Sequence, residues 1–255
     1  MVRGGGDMLI SRKEIEELAR QLLDRYYSRY DIGRSYQGWP MLLPLDIDRF
    51  ATQFLGLKVR YEKLSESRDI CGITAFRDTE YTVDCGDRQS VIKLNQGEIV
   101  LADYLDRGRK KPTIECRRRF ALAHECAHQI LDFIGCGPFS SGNTMADVSS
   151  VVLRSTNLKN RNDPGEWQAN ALAADLLLEK EQVEFAVWYF RGGRNVRLTG
   201  VGELSGEDRN LVNDISKVFG ASRMCTYFRL QELGYIPEKN RSSERFDRTE
   251  LFAIS

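Results

Sequence analysis

The 255-residue sequence predicts an α+β fold, a small antiparallel sheet packed on a helical core that carries an HExxH helix and a second helix. Two observations predict it. Short runs with strand-like alternation cluster between residues 57 and 94, while helical spacing of apolar residues dominates before and after them. The strongest helical pattern of the chain, 117–134, follows directly on that strand cluster. A composition of 42% hydrophobic and 29% charged residues is that of an ordinary globular protein, long enough to bury a core without staples.

Taken in order, residues 10–30 place Ile15, Leu18, Leu22 and Tyr26 on one helical face, with Ser11 and Glu14 spaced as a capping box. Gly33, Gly38, Pro40 and Pro44 make 33–44 a loop, and 46–54 reads as a helix closed by Gly56. The run LKVRY (57–61) alternates like a strand, followed by strand candidates at 70–76, 81–85 and 91–94. Residues 101–111 are polar and basic and read as a loop or frayed helix. The helix 117–134 stops at Gly135 and Gly137, and 139–165 is an irregular, Ser- and Asn-rich excursion. Pro164 opens a further helix to about 181, 191–206 is a glycine-rich loop, and 207–234 reads as two helices broken near Gly220. One domain over 10–236 is expected, with a flexible N-terminus (1–9) and a charged tail (237–255).

The 37 basic and 37 acidic residues cancel, so no overall field draws the chain to nucleic acid or to a membrane surface. No stretch approaches the roughly 20 apolar residues that span a bilayer. The N-terminal residues carry no signal-peptide core, so a cytoplasmic protein with reduced thiols is expected. None of the six cysteines forms a Cys-x-x-Cys pair. The basic run from Arg107 to Arg119 could meet an acidic partner; charge runs are more commonly a solvated loop and helix start. The segment around Gly220 can be read as a helix-turn-helix or as two packed helices, and charge neutrality favours packing without direct nucleic-acid contact.

The two histidines of the chain are His124 and His128. They stand in His124-Glu125-Cys126-Ala127-His128, an HExxH pattern. Residues four apart lie one above the other on a helix, so both imidazoles can reach a single ion. Glu125 lies beside that face, where it can act as a base rather than a ligand. Two histidines placed at random fall four apart in about 0.8% of arrangements, and requiring Glu after the first lowers this to roughly 1 in 2,000. The surroundings (Phe120, Leu122, Ala123, Ala127, Ile130, Leu131) are apolar, where unpaired polar groups are costly.

A catalytic zinc needs a third protein ligand and an open position. Asp132 shares the face but stands about 12 Å along the axis from His124. Cys126 is turned about 200° away, and Cys136 follows the helix. Leu131 and Ile134 occupy the positions where a metzincin would carry its glycine and third histidine. A carboxylate on a second helix is the gluzincin solution, and Glu166, opening GEWQANALAADLLL, is the best candidate.

RFALAHECAHQIL followed by EWQANALAADLLL resembles the ImmA/IrrE family of metallopeptidases, whose pattern is R-F-x-x-A-H-E-x-x-H and then E-x-x-A-N-x-x-A-A-x-L-L. Flanking resemblances at 44–59, 91–95 and 218–235 extend it over roughly residues 10–236. It implies His124, His128 and Glu166 as ligands of one Zn2+ (or another divalent ion), Glu125 as general base, and Asn170 orienting a ligand from one turn after Glu166. It further implies site-specific cleavage of a helix-turn-helix repressor. A toxin-system peptidase, or a zinc-holding module that sequesters a repressor without cutting it, are the alternatives. Where the family often follows its leucines with proline, this chain has Glu179, and its inter-motif stretch is long.

Overall fold

The computed structural model describes residues 9–36, 39–84, 89–106, 111–135, 163–192 and 204–236. The fold is α+β. Helix α1 (Arg12–Arg29) is followed by a two-residue hairpin, β1 (Ser35–Tyr36) with β2 (Trp39–Pro40). Helix α2 (Ile47–Arg49) runs straight into a wider turn of π-helix (Phe50–Phe54). Strands β3 (Lys58–Glu62), β4 (Gly72–Ala75), β5 (Thr79–Asp84), β6 (Gln89–Leu94) and β7 (Glu98–Ala102) precede the long helix α3 (Pro112–Phe133). Then come α4 (Pro164–Leu177), α5 (Lys180–Phe190), α6 (Gly206–Phe219) and α7 (Arg223–Glu232). Strand β7 is central: β3 pairs with it in parallel and β4 antiparallel, Gly72 opposite Leu101, while β5 and β6 form a separate hairpin. The sheet is thus small and precedes the main helix as expected, with one parallel pair.

Helix α3 lies between the sheet, through β4 and β7, and α4, which packs in turn on α1. Contact on both sides explains why Phe120, Leu122, Ala123, Cys126, Ala127, Ile130 and Leu131 are all buried. The predicted capping box is present: the Ser11 side chain accepts from the Glu14 amide and Glu14 reaches back to the Ser11 N–H. Gly220, at φ 59°, ends α6 in the left-handed region that glycine adopts without strain.

Four expectations need correction. Strand β7 was not expected, and its last two residues fall in the 101–111 segment read as loop or frayed helix; it is buried at every position and so lacks the alternation that marks a half-exposed strand. Helix α3 begins at Pro112 and not at 117, because the fixed φ and missing N–H of proline suit a first helical turn. The helix opened by Pro164 ends at Leu177, and Glu179 caps a new one. The region 33–44 contains the β1–β2 hairpin. The terminal segments 1–8 and 237–255, the excursion over 136–162 and much of the 191–206 loop lie outside the described residues.

Of the basic run, Lys111 is exposed as a solvated face would be, whereas Arg118 and Arg119 turn into the fold. Arg118 is fully buried, with Asp48 at 2.8 and 2.9 Å and Glu115 at 2.7 and 2.9 Å, tying α3 to α2. Arg119 donates to the carbonyls of Phe219, Gly220 and Leu45, so it caps the C-terminal end of α6. Arg229, which a helix-turn-helix reading would offer to DNA, is buried against Asp175 of α4 at 2.8 Å. Asp175 also takes both guanidinium nitrogens of Arg12. Breaking a buried pair of this kind costs about 3–5 kcal/mol, because one charge is left unmatched. The α1–α4–α7 corner is held this way.

At the start of β7, burial opposes the charge on Glu98. The Asn95 N–H and amide and the Arg60 guanidinium outweigh it and hold its pKa below the usual value. Because the folded pKa is depressed, its contribution is complete above the unfolded value of about 4.3 and is lost as pH falls through the folded one. Urea midpoints measured from pH 6 down to 3 should therefore fall less steeply for Glu98→Gln than for the wild type, whose acid limb contains this contribution.

Candidate metal centre

The centre is built by two helices. Its histidines belong to α3 and sit one turn apart, rings 4.5 Å between centroids and nearly perpendicular at 85°. Its carboxylate belongs to the first turn of α4, where Asp163 caps the helix by accepting from the Gly165 N–H at 2.9 Å and Pro164 begins it. A glutamate there suits the positive end of the helix dipole. Packing of α4 along α3 brings Glu166 Oε2 to 3.4 Å from His124 Nε2, and Oε1 to 3.4 Å from His128 Nε2. The two Nε2 atoms are 2.9 Å apart.

The His–Glu distances suit a metal, while the two Nε2 atoms stand closer than a tetrahedral edge. Ligands held at ~2.1 Å in a tetrahedral arrangement stand ~3.4 Å from one another, and the His–Glu separations match that edge. Donors of two imidazoles and one carboxylate suit zinc and leave a fourth position free. Among the described residues the converging ligand group is His124, His128 and Glu166. Both histidines are buried, whereas Glu166 keeps 20% of its side chain exposed, so the centre is not sealed from solvent.

Glu125 lies behind the triad. It is fully buried and neither carboxylate oxygen has a hydrogen-bond partner. With no cation at the centre, burial pushes its pKa up to about 8, the negative charge of Glu166 adding to this and His124 opposing it. Burial likewise opposes a charge on Glu166, but both histidines outweigh it and hold the carboxyl well below the usual range. Burial disfavours the imidazolium at His124, yet Glu166, Glu125 and Asn170 together raise its pKa. The pKa of His128 is lowered, by burial first and then by the charge on His124. The cluster holds two carboxylates around an imidazole pair of which one ring favours a proton. A dication would satisfy it better.

His124, His128 and Glu166 converge, Glu125 adjoins them, and Asn170 stands close enough to His124 to contribute to its pKa. Cys126 is buried, and burial raises its thiol pKa. Cys136 lies outside the described residues. Tyr104 gives its proton to the Arg68 carbonyl at 3.2 Å and meets Cys71 Sγ at 3.2 Å.

No family model matches the chain, and no curated protein matches it. The family resemblance rests on the two motifs and their flanking segments in the sequence alone.

Two residues beside the centre escaped sequence reasoning. Gln129 donates to Thr74 Oγ1 at 2.7 Å and to the Ala75 carbonyl at 3.0 Å, fastening α3 to β4 one position after His128. Gly72 of β4 faces Glu125, and a Cβ there would meet its Cγ and Oε1 at 3.0 Å. The signal for Gly72 was present, since a glycine inside a strand pattern marks a close approach. Gln129 carried none.

Two substitutions test the ligand set. Glu166→Ala should leave zinc content after dialysis far below one per chain while the wild type retains one. Asn170→Ala should keep the site but weaken it by about 10–100-fold in a competition titration with a chromophoric chelator. Full occupancy in Glu166→Ala moves the third ligand elsewhere.

Proposed function

We propose that this chain is a cytoplasmic, zinc-dependent metallopeptidase that cuts a regulatory protein at a specific site. The observation that carries the reading is the Glu125 carboxylate, buried without a hydrogen bond beside three convergent metal-ligand side chains. A site that held zinc only for structure would have no use for a buried base there.

His124, His128 and Glu166 would hold the ion, and Asn170 would orient His124. Zinc at such a site supplies Lewis acidity, bringing the pKa of water towards ~7 and polarising a carbonyl. The protein's own part is proton movement. A Glu125 oxygen takes the proton from the attacking water and later delivers it to the leaving amine nitrogen. The buried, apolar surroundings of Glu125 and the two histidines lower the local dielectric, which strengthens each of these interactions.

The resemblance to ImmA/IrrE peptidases supports a helix-turn-helix repressor as the substrate. A cytoplasmic setting is supported by four free cysteines among the described residues, and no helix there is long and apolar enough to cross a membrane. Sequestration of a repressor without cutting is the competing reading.

Glu125→Gln separates the two. The amide keeps the side chain's size and leaves all three ligands in place, so zinc content and melting temperature should stay near wild type. Cleavage of a co-expressed repressor from the same gene neighbourhood, followed by gel mobility, should fall by about 10²–10⁴-fold. If both forms relieve repression equally while the repressor stays full length, sequestration is the mechanism and proteolysis is not.

A further inference from the structure

We propose that Gly72 is a positioning residue for Glu125: the side chain missing from β4 leaves the space in which the base carboxylate sits. The inference rests on the peptidase reading of Glu125.

Gly72 lies in a paired strand opposite Leu101, and its φ is outside the left-handed region, so the backbone does not require glycine. Glycine is otherwise a poor strand residue, with no side chain to pack and more conformational freedom to lose. What glycine provides is room. An added Cβ would stand 3.0 Å from both Cγ and Oε1 of Glu125 and 3.1 Å from Leu101 Cδ2. The leucine contact is with the far end of a flexible side chain. Both side chains are fully buried, but the Glu125 contact involves Cγ, close to the backbone of a helix packed on both sides, with Cys126 and Ala127 following at 0% exposure.

No hydrogen bond fixes the Glu125 carboxylate either. Its direction is set by what it packs against, and that is the bare face of β4 at Gly72. Strand β4 is itself anchored to α3 through Gln129, so strand and base move together. The three atoms nearest a methyl group at position 72 belong to Glu125 and Leu101, so the methyl would push first on the carboxylate. Misplacement by ~1 Å is enough to cost ~10²-fold in rate.

The test uses four full-length proteins: wild type, Gly72→Ala, Glu125→Ala and the double variant. Each is loaded with Co2+ and examined by elemental analysis, thermal melting and visible absorption, which senses charge and hydrogen bonding beside the ion. Gly72→Ala should keep one metal per chain yet lower the melting temperature and shift the cobalt bands when Glu125 is present. In the Glu125→Ala background the same substitution should be neutral or stabilising and leave the bands unchanged. Should Gly72→Ala fail to fold, the double variant should restore folding. Equal melting losses in both backgrounds with unchanged spectra, or failure of both variants to fold, would overturn the proposal by making Leu101 or the strand the cause. A wild type that binds no cobalt would overturn the peptidase reading instead, while the melting cycle would still decide the contact.

Discussion

The packing of α4 along α3 is the contact on which the rest of this structure depends. It places an acidic side chain against two buried imidazoles in an otherwise apolar interior, with a second carboxylate behind them. Isolated buried charges are costly, and this cluster is tolerable only if its members neutralise one another or share a cation. The α1–α4–α7 ion pairs around Asp175 and the Arg118 and Arg119 contacts of α3 hold the two helices from the outside. Polar side chains thus keep in register a helix pair whose interface is mostly apolar.

The sheet contributes position more than extent. Strand β7 runs through its middle, and β4 at its side brings Gly72 over Glu125 and Thr74 to Gln129. A buried carboxylate with no hydrogen bond of its own takes its surroundings from such a wall. Sheet and helix pair thus meet at one place, the helices bringing His124, His128 and Glu166 together and the strand lying against Glu125.

Much of this was legible in the sequence because the informative signals were periodic or short-range. HExxH needs only helical spacing, the Ser11–Glu14 box only three residues, and the break at Gly220 only a glycine. What escaped was set by tertiary contact. Strand β7, buried throughout, has no alternation to read. The arginine run looked solvated because Asp48 and the carbonyl partners at the end of α6 come together with it only in the fold, although Glu115 is a local partner one turn away. Glu166 could be ranked first among third ligands from the sequence, but its approach to both histidines is a property of α3–α4 packing. The aim of Glu125 depends on a strand about fifty residues earlier in the chain, which no local pattern encodes.

The central claim is that His124, His128 and Glu166 close around one ion with oxygen and nitrogen donors alone. X-ray absorption at the zinc edge, on protein loaded with one equivalent, tests it most directly. The account predicts a first shell of nitrogen and oxygen at ~2.0–2.2 Å with the outer-shell pattern of two imidazoles. A sulfur contribution at ~2.3 Å, or a spectrum showing only aquated zinc, would contradict it.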